Sequence, residues 1–233
     1  MASGALTFPS KKENANYARL CRLLVDIGCQ VLRKTFNKIR PPGSLDTVLG
    51  SPSVTSTLQS LQRKKILSRL QWRSLYPDIK SSVSSENFDI ALLMVLLRNI
   101  CDLTPPATGW DALPSPEDLS CEADITRIKF YRNTVYAHAT RASIDDNEFD
   151  NYWIHIRDAL LRLGGAPYEA AINDLKYDSL DPDMEEHYKW LLGDWKMEDD
   201  SIKDKPKNVE AKVNELQASV NKIGVQLRPK SGK

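Results

Sequence analysis

The sequence is poor in the groups that build metal and redox sites. Its four cysteines, Cys21, Cys29, Cys101 and Cys121, form no CxxC pair, and no histidine stands near them at zinc-ligand spacing. A RING or zinc-finger array is therefore excluded from these residues, no metal or other cofactor is expected, and the thiols are expected to stay free in a reducing cytosol. Long apolar runs are missing too. The longest, Ile90 to Leu97, falls far short of the roughly 18–20 residues that cross a bilayer. The opening residues, MASGALTFPSKKENAN, have no charged start followed by an apolar stretch, so neither a signal peptide nor a membrane contact is expected and the chain reads as cytoplasmic. There is no Gly-rich phosphate loop of Walker type and no GxSxG. Cys21 and Cys29 lack a neighbouring histidine, which argues against a cysteine nucleophile. Histidine itself is scarce, with only His138, His155 and His187.

What is present is a globular composition. Of 233 residues, 41% are hydrophobic and 27% charged, enough for one domain of about 150–180 residues plus an appendage. The net charge of +1 hides a gradient. Residues 1–80 carry 14 Lys/Arg and 4 Asp/Glu, whereas residues 81–233 carry 18 and 27. The basic third either attracts nucleic acid or is a solvated helix face, and the charge run alone does not choose between them.

The periodicity is helical throughout. A first helix is predicted over 15–39, stopped by Pro41-Pro42-Gly43. Residues 44–56, with Pro52, read as a loop. A second helix is predicted over 58–70, with Arg63, Lys64, Lys65 and Arg69 on its polar side. Ser84 or Ser85 can cap a third, over 86–102, whose centre IALLMVLL is apolar on most sides and should be the central core helix. A Pro-rich loop follows, with Trp110 expected to pack on the bundle. A fourth helix is predicted over 122–140 and a fifth over 148–163, ending at Gly164-Gly165. Pro167 suits the first turn of a sixth, and Pro182 the start of another that carries Trp190, Leu191 and Trp195. Beyond the charged stretch 196–207, Val209, Val213, Leu216, Val220, Ile223 and Leu227 follow a heptad seam. That seam fits either a coiled coil or one docking amphipathic helix. The expected organisation is a flexible N-terminus (1–14), a helical domain (15–200), and a charged linker with an amphipathic helix (201–233).

The fourth helix carries the chemistry. At about 100° per residue, Ile125, Ile128, Val135 and Ala139 share a narrow arc, with Arg132 inside it and Tyr131 and His138 on its edge. A guanidinium on a core-facing stripe costs several kcal/mol unless its donors are accepted. Arg132 therefore needs a carboxylate, a facing subunit or a phosphate. A structural salt bridge accounts for Arg132, and a satisfied half-buried imidazole accounts for His138. Together with Asn133 they also form a set that can hold a phosphate and move a proton. Six positions apart, Arg132 and His138 diverge by about 120° on a regular helix. They converge through a bend, or across a two-fold axis with the same helix of a second chain, which would supply two proton-transfer groups. Arg98-Asn99 repeats the pair without a downstream histidine and reads as structural. His155, beside Trp153, reads as packing, and His187 as solvent-facing.

The segment RNTVYAH, Arg132 to His138, resembles the R-x(4–6)-H motif of the HEPN superfamily. The surrounding blocks FDIALLMVLLRNICDL, GWDALPSPEDLS, ADITRIKFYRNTVYAHAT and FDNYWIHIRDALLRLGG are similar to the animal HEPN subfamily of the DAZ-interacting zinc-finger ubiquitin ligase type. The resemblance implies an all-α, HEPN-type helical bundle that forms a homodimer through the motif helices and cleaves RNA without metal, leaving a cyclic phosphate. By position, His138 would be the general base on the 2′-OH, Arg132 would stabilise charge on the phosphorane, and Asn133 would orient Arg132 or the substrate. Tyr136 and Lys129 would contact substrate. The alternative it carries is a non-catalytic oligomerisation or recruitment module of a larger immune or regulatory protein, with further domains downstream. A third, the non-catalytic region of a ubiquitin ligase, is compatible with the missing RING array.

Overall fold

The computed structural model describes residues 11–178 and His187. Among these residues there is no strand, so the chain is all-α as expected. The N-terminal helix runs from α1 (Lys11–Arg22) through a π-helical turn (Leu23–Ile27) into α2 (Gly28–Ile39). Residues 11–14, expected in a flexible N-terminus, are thus helical. Two short helices follow, α3 (Leu45–Gly50) and α4 (Pro52–Arg63), where a loop was expected. Pro52 does not interrupt anything. It stands in the first turn of α4, where its missing N–H costs nothing. Leu45 and Leu49 give α3 a buried side.

The helix expected over 58–70 is broken. The N–H of Ile66 donates to the Leu61 carbonyl at 3.0 Å, and that of Lys65 to the Gln62 carbonyl at 2.9 Å. Lys65 sits at φ 60. This is a Schellman ending with lysine where glycine is usual. A new helix, α5 (Arg69–Leu75), starts under a capping box between Ser68 and Gln71.

The central helix α6 (Ile90–Ile100) is the one anticipated, with Ala91 through Leu97 all buried. Its start differs. Ser84 and Ser85 belong to a 3-10 turn, and Asp89 is the cap, accepting from the Leu92 N–H at 2.6 Å. α7 (Cys121–Ala137) is capped by Ser120, and α8 (Asp146–Gly164) by Asp145. α8 ends at Gly165, φ 84, and after a 3-10 turn at Ala166–Tyr168 the last described helix is α9 (Glu169–Tyr177). The expected helix after Pro182 and the heptad seam over 209–227 lie outside the described residues.

The bundle is built chiefly from five packings: α7 on α8, α2 on α6, α2 on α8, and α1 on both α7 and α8. One core joins them, from Tyr17 and Leu24 on the N-terminal helix through α6 to Ile128, Trp153 and Leu160. Trp110 packs on its edge, with the Arg98 guanidinium 5.6 Å from its ring centre. Arg98 thus has the structural place expected of it. None of the described helices is long and apolar enough to cross a membrane.

Two substitutions test the backbone reading with opposite signs. Lys65→Gly relieves a left-handed lysine and should raise unfolding free energy by up to about 1 kcal/mol. A Cβ at Gly164 would meet Val31 Cγ2 at 2.9 Å and Tyr168 Cδ2 at 2.7 Å, so Gly164→Ala should cost about 1–3 kcal/mol by overpacking. Urea titrations of both variants measure each change.

Candidate functional site

α7 is enclosed more completely than its periodicity implies. Every residue from Ala123 to Lys129 is buried, including Asp124, Thr126, Arg127 and Lys129. Polar groups at such positions must be paired, and they are. Asp124, 1% exposed, accepts from Arg127 Nη1 at 2.8 Å and, in a fork, from Arg162 Nε at 2.8 Å and Nη2 at 2.7 Å. The carboxylate raises the Arg162 guanidinium above its ordinary value, chiefly through those hydrogen bonds. Arg127 Nη2 also donates to the carbonyls of Ser115 at 2.5 Å and Asp118 at 2.6 Å. Thr126 returns its hydroxyl proton to the Glu122 carbonyl.

Lys129, expected at the substrate, is part of the same clamp. It is 2% exposed, pairs with Asp111 Oδ1 at 2.5 Å and donates to the Trp110 carbonyl at 3.3 Å. On α7 it stands nine positions before His138, about 180° away around the helix. The structure does not bring the two together, because the Pro-rich loop folds over the face that carries Lys129.

Arg132 lies inside the core stripe with Ile125, Ile128 and Val135, all 0% exposed. Its placement in that arc is as the spacing predicted. Complete enclosure is not what a phosphate contact needs, so in this arrangement the guanidinium is a core group rather than a surface one. Asn133 is half-buried, and its Oδ1 accepts no hydrogen bond. Tyr136 is half-buried against the core.

His138 sits elsewhere. It is the C-cap of α7, half-buried, with φ −85 and ψ −2. Its carbonyl accepts from the N–H groups of Arg141 and Ala142, which closes a turn after the helix, and Ala142 adopts φ 48. The imidazole meets Tyr152 edge-on at 6.3 Å between ring centres. Tyr152 is 5.8 Å from Tyr131, and Tyr131 stacks on His155 at 5.4 Å with ring planes 10° apart. A chain of four rings thus spans α7 and α8, with a histidine at each end. Burial, followed by the charge of Glu148, pushes the Tyr152 phenol up, and burial does the same for Tyr131. Both phenols therefore stay protonated near neutral pH.

His155 was read as packing from its neighbour Trp153. The structure separates them: Trp153 turns into the core, and His155 is exposed over Tyr131. The signal that could have found it is the i, i+3 spacing of Tyr152 and His155, which places both on one side of α8. His187 is exposed, as expected. The cysteines are free thiols. Cys101 is pushed up to about 12, chiefly by burial, which makes it unreactive. No cluster of metal-ligating side chains occurs among the described residues.

The comparisons with known proteins fit this bundle. The family described as DZIP3/hRUL138-like HEPN matches residues 42–188. The chain belongs to that HEPN family. It is 28% identical over 159 residues to the E3 ubiquitin-protein ligase DZIP3 of Homo sapiens and 29% identical over 159 residues to that of Mus musculus. Each match covers 67% of this chain and 13% of the relative's length. The relatives are therefore much larger proteins, and the HEPN domain here corresponds to a small part of them. No solved structure matches the chain.

The two halves of α7 should respond differently to mutation. Asp124→Ala leaves the buried Arg127 guanidinium without its carboxylate and should cost about 3–5 kcal/mol. His138→Ala, at a half-buried helix end, should cost no more than about 1 kcal/mol. Chemical denaturation of the two variants side by side measures the contrast.

Proposed function

We propose that this HEPN domain acts on RNA as a homodimer, as a metal-independent endoribonuclease in which His138 is the proton-transfer group. The observation that supports this reading is the position of the imidazole. It is held at the open end of α7, partly accessible, and oriented by the edge of Tyr152. In the proposed reaction His138 takes the proton of a ribose 2′-OH as that oxygen attacks the adjacent phosphorus. The bond to the 5′-oxygen breaks, and the departing oxygen takes a proton from the imidazolium of the second subunit. The products are a 2′,3′-cyclic phosphate and a 5′-OH. Asn133, one step along the helix from Arg132, offers an amide to the ribose or to the partner subunit. Arg132 enters as a positioning residue. Enclosed in one chain, it fixes α7 from the core side, and it reaches phosphate only if the last turn of α7 opens on dimerisation. A cytoplasmic setting suits both the free thiols and an RNA substrate.

A second reading has its own observation. A fully buried Arg132 is what a non-catalytic HEPN module would keep for its fold. Such a module would assemble or recruit within a larger regulatory or immune protein, consistent with relatives in which the matched segment is 13% of the length.

One experiment separates the two. The chain is incubated with mixed single-stranded RNA in EDTA beside His138→Ala, with light scattering on the same samples. The nuclease reading expects a dimer that produces cyclic-phosphate ends, and a loss of about 10²–10⁴ in rate in His138→Ala. An intact dimer without cleavage supports the assembly module. A monomer at high concentration contradicts the shared site.

A further inference from the structure

The corner where α3, α4 and α5 meet the turn after α5 carries two adjoining recesses. One, of about 340 Å³, is lined by Leu70, Arg73, Ser74, Pro77, Ser82 and Asn87. The other, of about 270 Å³, has Leu49, Leu75, Tyr76 and Val83 in its apolar floor, with Asp46 and Lys80 also in its lining. Pro77 lines both, so they adjoin at one residue. Their volumes are near the lower end of ligand pockets, about 300 Å³, which suits side chains better than a cofactor. Leu70 and Ile79, on the same segment, are 74% and 68% exposed. A single exposed leucine is ordinary. Two large apolar side chains beside a pair of recesses mark a contact surface.

The charge of this corner is mostly positive. Arg63, Arg69, Arg73 and Lys80 are exposed, and Asp78 is the only acid between residues 63 and 80. Several cations elsewhere are matched: Lys12 with Asp146, Arg22 with Asp178, Arg40 with Asp102, Lys176 with Asp150. Arg69, Arg73 and Lys80 enter no ion pair among the described residues. Two recesses with apolar walls, set among side chains that are mostly cationic apart from Asp46 and Asp78, are complementary to a ligand that is apolar at two points and acidic around them. RNA would use the cations and leave Leu70, Ile79 and both recesses uncovered. A peptide with two large apolar side chains and flanking carboxylates would use all of them.

We infer that the α4–α5 corner is a docking site for an acidic amphipathic peptide segment of a partner protein. One apolar side chain enters each recess beside Pro77, Leu70 and Ile79 are covered, and the peptide's carboxylates face Arg69, Arg73 and Lys80. The site is separate from the α7 residues and does not depend on whether the domain cleaves RNA.

The test is a displayed random peptide library selected against the whole chain, followed by fluorescence anisotropy with the enriched peptides. The expected sequences are rich in Asp and Glu and carry two large apolar residues within a few positions of each other. Their binding should weaken about tenfold or more in Leu70→Ser and in Arg73→Glu, weaken with added salt, and withstand competition by single-stranded RNA. Both positions are exposed, and circular dichroism confirms that the variants fold. Failure to enrich any peptide, enrichment of peptides without acidic residues, or equal binding to wild type and both variants would overturn the proposal. So would displacement by RNA, which would reassign the corner to nucleic acid.

Discussion

The bundle depends on the Asp124 carboxylate. It lies in the interior and takes three hydrogen bonds from two guanidinium groups, one on its own helix and one on α8. Desolvating the Asp124 and Arg127 charges is expensive, and forked, fully bonded geometry offsets the cost. The arrangement does more than neutralise charge. Because Arg127 also holds the carbonyls of Ser115 and Asp118, the Pro-rich loop closes over α7. Lys129 adds a second fastening through Trp110 and Asp111. α7 is therefore surrounded along its first half and free only towards its C-terminal end, where His138 lies.

That division explains which parts of the fold were legible in the sequence. Where burial is apolar, pattern and structure agree: the run at 90–97, the stripe Ile125, Ile128, Val135, and the glycine end of α8. Arg132 inside that stripe was legible for the same reason. Where burial is polar, the pattern is silent. Asp124, Arg127 and Lys129 look solvated, since nothing local shows that a loop 9 to 19 positions away will supply partners to Arg127 and Lys129, or that Arg162, 38 positions on, will reach Asp124. Lys129, expected at the substrate, is held by Trp110 and Asp111 of that loop. The break between α4 and α5 was hidden because a lysine holds the left-handed position that glycine usually marks. The short helix α3 was hidden because Pro52 was taken to signal a loop rather than a helix start.

The same logic separates the members of the motif. Arg132 and His138 belong to one heptapeptide, yet one is enclosed and the other stands at a helix end. Membership of the HEPN family rests on the match over residues 42–188 and on the all-α architecture, and does not by itself assign chemistry. What the coordinates add is a ring ladder from His138 through Tyr152 and Tyr131 to His155. Sequence spacing linked His138 only to its own helix. The ladder joins it to α8 and makes a two-helix face with an imidazole at each end.

The most direct measurement of the central claim, that the open end of α7 is where RNA meets this domain, is NMR of the His138 imidazole. The titrant is a single-stranded RNA whose 2′-hydroxyls are methylated, so that no 2′-OH can attack the adjacent phosphorus. The account predicts that the His138 ring signals shift saturably with added RNA while those of the exposed His187 do not. Saturable RNA binding that leaves the His138 signals unmoved, or no binding by an intact dimer, would contradict it.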